Sequence, residues 1–274
     1  MTRAVALALG LGAAVLSGGA FAEGSPQRVV SLNVCTDQLA WLLAPDALVA
    51  VSTLAHDPAT SAYAAEMADV PVTPGAAEAV VLGKPDLVLA GTYTTRATVT
   101  MLERLGYRVE TFAPVSSLDE AVANMRRMGE VLGREERAAR MIDAFESRRA
   151  RLTRDAGSGP RTLLYHAQGR SSGAGSMADD LLRAAGMRNV ATELDLPPGG
   201  RLPLEAAVLA DPDLIVVGAP YEGFAWATEM VRHPALAATG ALRDVRDGAD
   251  WSCETPKLLD ALERLVTLAD EAGT

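Results

Sequence analysis

The chain has 274 residues, 49% apolar and only 4% aromatic, with 25 Lys+Arg against 35 Asp+Glu for a formal charge of −10. That length supports a core large enough to divide into two units. The acid excess argues against nucleic acid or an anionic lipid surface as a partner, and no apolar run is long enough to span a bilayer comfortably.

Residues 1–22 read as a cleavable export signal. Arg3 supplies the positive start, 4–16 an apolar run, and Ala20-Phe21-Ala22 a small-x-small cleavage site before Glu23. Their removal takes one Arg and no acid, leaving 24 Lys+Arg against 35 Asp+Glu and a charge of −11. No cysteine follows the cleavage site, so no lipid anchor is expected. The mature protein is expected to be exported, soluble and monomeric.

From there the chain alternates strands and helices. Residues 28–32 form a short β-rich run, 36–43 a helix with Thr36 or Asp37 as cap, and 48–52 a second strand. A helix beginning at Glu78 leads to a strand at 87–90, then a helix at 99–105 ended by Gly106 and a strand at 108–112. Ser117-Leu-Asp-Glu120 is a capping-box sequence, with Ala121, Met125, Met128 and Leu132 following at helical spacing. After Gly133, residues 134–154 are charge-rich, with Ala139, Ile142, Phe145 and Leu152 on one side. A linker-like stretch at 155–160 follows. Strands at 161–165 and 214–217, helices at 177–185 and from Glu205, and a last helix at 257–269 repeat the alternation. The fold class is therefore α/β, with parallel sheets covered on both faces.

One segment occurs twice. Glu78 to Gly91 reads EAVVLGKPDLVLAG and Glu205 to Gly218 reads EAAVLADPDLIVVG, with eight of fourteen positions identical. Two similar lobes follow, each presenting a carboxylate at an equivalent place, and a helix between them that limits their relative motion. The expected boundaries are 23–116 for the N-terminal lobe, 117–155 for a helical connector and 156–274 for the C-terminal lobe.

The chemistry-bearing residues cluster after strand ends, where a parallel α/β lobe lines its ligand crevice. His56 and His166 occupy such loops and could offer an axial donor to a metal complex or hydrogen-bond their own loops. His233 reads as a surface residue. Tyr93 and Tyr221 follow the two repeated strands and suit a flat or macrocyclic ligand. The glycine-rich run 169–175 lacks the ending of a P-loop and reads as a close-packed loop. Trp251 and Cys253 lie in the loop feeding the last helix; Cys35 stands before a helix N-terminus, where a thiolate is favoured. For Cys35 and Cys253 three readings stand together: a disulfide, two buried thiols, or soft ligands facing one cleft. Glu78 and Glu205 suit docking onto two arginine pockets of a partner.

These marks resemble the periplasmic substrate-binding proteins that deliver iron complexes and cobalamin to ATP-driven importers. The resemblance rests on RVVSL at 28–32, E-x6-P-D-L at 78–87 and 205–214, L-x-x-L-G at 102–106, and Asp250-Trp251 before the closing helix. It implies two parallel-sheet α/β lobes bridged by a single long helix, in the manner of class III binding proteins. It also implies a non-enzymatic protein without a cofactor of its own. The ligand would be a metal chelate containing cobalt or iron (cobalamin or another corrinoid, haem, or a ferric siderophore). It would sit among His56, Tyr93, His166, Tyr221, Trp251, Cys35 and Cys253. Glu78 and Glu205 match the glutamates with which family members meet arginines on a permease dimer driven by its ATPase. The sparse arginines near the cleft (Arg96, Arg170, Arg201) favour a corrinoid or haem over an anionic siderophore. Two other classes compete: a metal-dependent envelope enzyme using Cys35, Cys253, His56 and His166, and an envelope sensor on the same fold.

Overall fold

Apolar runs too short to be helices and too apolar to face water become the centres of two parallel sheets. The computed structural model describes residues 24–217, 229–244 and 248–272. The first sheet contains β1 (Val29–Ser31), β2 (Leu48–Ser52), β3 (Val72–Thr73), β4 (Leu87–Gly91) and β5 (Val109–Phe112) in the order β3-β2-β1-β4-β5, all parallel. The second contains β6 (Arg161–Leu164), β7 (Arg188–Asn189), β8 (Leu214–Val217) and β9 (Leu242–Asp244) in the order β7-β6-β8-β9, again parallel. Helices α1 (Val34–Leu43), α2 (Ala77–Leu82) and α3 (Arg96–Arg104) serve the first sheet. Helices α6 (Met177–Ala184), α7 (Val190–Glu193), α8 (Leu204–Leu209) and α9 (Pro234–Ala238) serve the second. Between them lie α4 (Leu118–Leu132) and α5 (Glu135–Leu152), and α10 (Leu258–Ala272) closes the described chain. No helix among the described residues is long and apolar enough to cross a membrane.

Strand alternation decides which face meets which layer. Val29, Leu87 and Leu89 point into a core that also holds Leu164, Leu214 and Val216 of the second sheet, Met125 and Met128 of α4, Phe145 of α5 and Leu262 of α10. Val30 and Val88 point the other way, onto α2 and α3 through Ala77, Val80 and Leu102. The second sheet does the same: Leu163, Tyr165 and Ile215 face outward onto α7 and α8 through Val190 and Ala207. The inner faces of both lobes therefore share one apolar core, while α2 and α8 occupy equivalent outer positions.

The connector is two helices. Ser117 caps α4 by accepting from the Glu120 N–H at 3.1 Å, as the capping box predicts. The reciprocal arm differs: the Glu120 carboxylate accepts from the Ser116 N–H and hydroxyl, at 2.7 and 2.9 Å. Gly133, at φ +61°, ends α4 in the left-handed region where a side chain costs strain. The chain then turns into the 18-residue α5, the long helix that leads from the first sheet to the second. Its buried face carries Ala138, Ile142 and Phe145; Ala139, expected inside, is exposed. Ala138 takes its place, packing directly over Gly129 of α4, while Ile142 and Phe145 face inward as expected.

Helix α1 begins two residues earlier than its sequence indicates. Asn33 is the cap, accepting from the Cys35 and Thr36 N–H groups at 3.0 and 3.4 Å. Asp37 turns inward instead. Fully buried, its carboxylate accepts from the Ser52 hydroxyl at 2.5 Å and the Ser52 N–H at 3.2 Å, tying α1 to the end of β2. Burial pushes its pKa from 3.8 up to about 6, against the opposing pull of these hydrogen bonds and of His56.

The last segment crosses back to the first lobe. Cys253 forms a disulfide with Cys35, across 218 residues of sequence. Asn124 of α4 donates to the Glu254 carboxylate at 3.1 Å, and Thr255 hydrogen-bonds the Tyr63 hydroxyl. Asp250 accepts from Arg264 of α10 at 2.6 Å. A cross-link closing so long a loop removes much freedom from the unfolded chain. Substituting both cysteines by serine should lower unfolding free energy by about 3–5 kcal/mol in denaturant titration; an unchanged midpoint would show that the bond constrains nothing.

Asp37 generates a pH prediction. The native state holds its proton up to about pH 6, whereas the unfolded chain releases it near 3.8. Stability contributed by the neutral form is thus fully present below pH 3.8 and is lost as pH rises through 6. The ionised form costs roughly 3 kcal/mol by comparison. Against Asp37→Asn, the wild type should lose stability between pH 4 and 6.5; parallel melting profiles over that range would refute the assignment.

Candidate functional site

The C-terminal ends of the first sheet open onto a cleft between the lobes. A cavity of about 100 Å³ lies there. From the first lobe it is lined by Asn33 and Cys35 after β1, Gly91 to Tyr93 after β4, and Phe112 to Val115 after β5. Met177 at the start of α6 and Trp251 to Glu254 line it from the other side. A wider groove of about 270 Å³ adjoins it through Asn33 and Tyr93 and continues past Leu32, Ser52, Thr53, Thr73 and Pro74. All five strand ends of the first sheet thus border one continuous surface.

Tyr93 stands on this surface 87% exposed, although 4% aromatic content leaves few rings to spare. Trp251 is half-buried, packed against the shared core, and its indole N–H is enclosed without a hydrogen-bond partner. The close approach of β1 and β4 explains the glycine that ends the repeated strand. A Cβ at Gly91 would lie 2.7 Å from the Asn33 Nδ2, so only glycine leaves the helix cap in place.

Cys35 and Cys253 are also on this surface, and their joined sulfurs resolve the three readings: they form the disulfide. Neither is available as a thiolate or soft metal ligand. The metalloenzyme reading thereby loses two of its four ligands, and no cluster of three or more His, Cys, Asp and Glu placed to hold a metal occurs among the described residues.

The histidines part ways. His56 lies in the short turn Thr53–His56 and borders neither cavity; its Nε2 is enclosed without a hydrogen-bond partner, and it bears electrostatically on buried Asp37. The turn that carries it packs against α1. His166 ends the strand run of β6, and its N–H donates to the Arg170 carbonyl at 2.8 Å. His233 is exposed and caps α9, its Nδ1 accepting from the Ala235 N–H at 3.2 Å. Tyr221 lies outside the described residues, as does the export signal. The 169–175 loop is close-packed: the Ser171 N–H donates to the Gly200 carbonyl at 2.8 Å and its hydroxyl to Leu164 at 2.6 Å. Arg170 and Arg201 are held by Gly199 and Gln168 beside it.

Several cavity residues are not foreseen from the sequence, among them the walls Phe112, Pro114, Val115 and Met177 and the polar Asn33 and Glu254. Asn33 carried a usable signal, an asparagine immediately before a helix. Glu254 did not. It is 3% exposed, and burial pushes its pKa up despite the Asn124 hydrogen bond. Nothing in the local sequence marks it as a carboxyl at the cleft.

Over residues 78–90 and 205–217 the repeated segment folds alike in each lobe. Asp86 accepts from the Gln27 and Arg28 N–H groups at 2.8 and 3.0 Å, while the Arg28 side chain donates to the Gly83 and Lys84 carbonyls that end α2. Asp213 accepts from the Arg161 N–H at 2.7 Å, and the Arg161 side chain donates to the Ala210 and Asp211 carbonyls that end α8, both at 2.8 Å. Glu78 and Glu205 are both exposed in the first turns of these helices.

Comparisons with known proteins agree with this architecture. A cobalamin-binding protein of Halobacterium salinarum is 30% identical over 202 residues, which are 72% of this chain and 55% of that protein's length. The chain therefore spans about half the length of that relative. Among solved structures, a periplasmic haem-binding protein from Pseudomonas aeruginosa superposes with a TM-score of 0.71 at 25% identity, covering 89% of this chain and 92% of that one. The vitamin B12-binding protein of Vibrio cholerae superposes with a TM-score of 0.67 at 18% identity, covering 91% and 99%; at that identity the likeness is one of fold. Residues 29–246 match the family model described as periplasmic binding protein, and the chain belongs to that family.

Proposed function

We propose that this chain is the soluble periplasmic component of an ATP-driven importer and carries a corrinoid, cobalamin or a close relative, between its lobes. The observation that carries this reading is the character of the cleft. Tyr93, Phe112, Pro114, Val115, Met177 and Trp251 give it aromatic and apolar walls. The arginines nearby are few, and Arg170 and Arg201 are engaged with their own loop. Such walls suit a macrocycle of large apolar area, with a few polar groups such as Asn33 and Thr92 fixing its orientation. Cobalamin brings its own axial base, so a His56 that borders neither cavity is no obstacle. The relative from H. salinarum supports the same ligand class.

Haem is the second reading, favoured by Tyr93. An exposed phenol over a cleft could bind ferric iron as an axial ligand. In either case the shared inner core limits lobe rotation, and binding uses largely preformed surfaces. Delivery would bring Glu78 and Glu205, one on each lobe, onto paired arginines of a permease dimer.

Titration of the purified protein with cobalamin, haemin and ferric siderophores, followed by tryptophan fluorescence, separates these ligands. Cobalamin should bind below about 1 µM, near −8 kcal/mol, and Tyr93→Ala should weaken it about tenfold, or 1.4 kcal/mol. A haemin Soret shift that disappears in Tyr93→Phe would replace the corrinoid by haem; no binding below micromolar would sink the chelate assignment. Reversing both docking charges, Glu78→Arg with Glu205→Arg, should abolish ligand uptake by cells while leaving affinity within about twofold. Loss of affinity instead would place these carboxylates in the cleft.

A further inference from the structure

The two copies of the repeated segment each expose one large aliphatic side chain, at the same position of the repeat. Leu82 and Leu209 are both 83% exposed, the most exposed of the large aliphatic side chains described. Each lies four positions after its glutamate, on the same helix face and one turn away. The burial pattern from the glutamate onward is identical in the two helices. Glu78 and Leu82 are exposed, Ala79 and Val81 half-buried and Val80 buried; Glu205, Ala206, Ala207, Val208 and Leu209 repeat the sequence.

Neither leucine contributes to a core, and both sit on turns that are fixed in advance. Helix α2 ends at Gly83 and α8 at Ala210 with matching backbone angles, followed by Lys84 at φ +45° and Asp211 at φ +47°. The Arg28 and Arg161 guanidinium groups hold those turns through the carbonyls described above. An apolar knob on a rigid turn beside a carboxylate therefore occurs once on each lobe, on the outer faces of the two sheets. Recurrence at equivalent places matches a partner that repeats itself, and carboxylates beside both knobs call for a cation beside each apolar hollow.

We infer that Leu82 and Leu209 are apolar anchors of a bipartite docking face, each seated in a hollow next to the basic group that takes Glu78 or Glu205. The occupant is the two-fold symmetric permease of the importer, so the inference rests on the transport reading and adds to it the residues that hold the complex together. Carboxylates fix orientation and speed the encounter, whereas buried aliphatic area slows dissociation.

The test measures binding of the wild type, Leu82→Ala, Leu209→Ala and the double variant to the purified permease–ATPase complex in lipid nanodiscs. Each single change should weaken binding about tenfold, or 1.4 kcal/mol, mainly through faster dissociation, and the double change about a hundredfold. Cobalamin or haemin affinity and melting temperature should stay at wild-type values. If the leucine variants bind like wild type while Glu78→Arg with Glu205→Arg fails, the anchors are refuted and the transport reading stands. If wild type itself does not bind the complex, both fall. A loss of melting temperature or of chelate affinity in the leucine variants would make their role structural and overturn the inference. So would wild-type self-association that the substitutions abolish, which would make the occupant a second copy.

Discussion

The structure depends on a single apolar core that belongs to both lobes at once. Each sheet turns one face inward, and the two faces are joined through the apolar side chains of α4, α5 and α10. Close-packed interiors switch between discrete arrangements and do not deform smoothly. A molecule built this way resists opening like a book, because separating the lobes would expose the residues that hold each of them up. The cleft lies above that core, edged by the strand ends of the first sheet.

A second constraint accounts for the duplicated segment. Proline ends each short helix, aspartate caps the incoming strand, and an arginine opening the neighbouring strand ties off the helix carbonyls. These contacts lie at the starts of inner strands, exposed enough that their separate energies are modest. Their importance is geometric. They set the height of α2 and α8 relative to the strands, and so the places where Glu78 and Glu205 leave the surface.

Much of this was legible in the sequence because it is local. The buried strands β1, β4, β6 and β8 are apolar runs with turn residues at their ends, and the repeated Pro-Asp makes two of them stand out. Three of the four edge strands, β3, β7 and β9, are only two or three residues long and carry no periodic signal; their existence depends on a neighbour offering free backbone groups. The site divides along the same line. Tyr93, Trp251 and the two cysteines lie at the cleft as strand-end logic predicts. His56 obeys the same logic in sequence yet borders neither cavity; the turn carrying it packs on α1 near Asp37. The inward carboxyl of Glu254 arises from a segment returning across most of the chain, which no local pattern encodes.

The disulfide has a consequence for how the molecule is made. Its first sulfur belongs to α1 and its second lies 218 residues later, so the bond cannot close until everything between them has been delivered to one compartment. A chain truncated before residue 253, or stalled with its tail on the far side of a membrane, would leave Cys35 unpaired at the mouth of the cleft. The cross-link thus reports progress along the chain: only once residue 253 has followed do both sides of the cleft exist and Cys35 lose its free thiol.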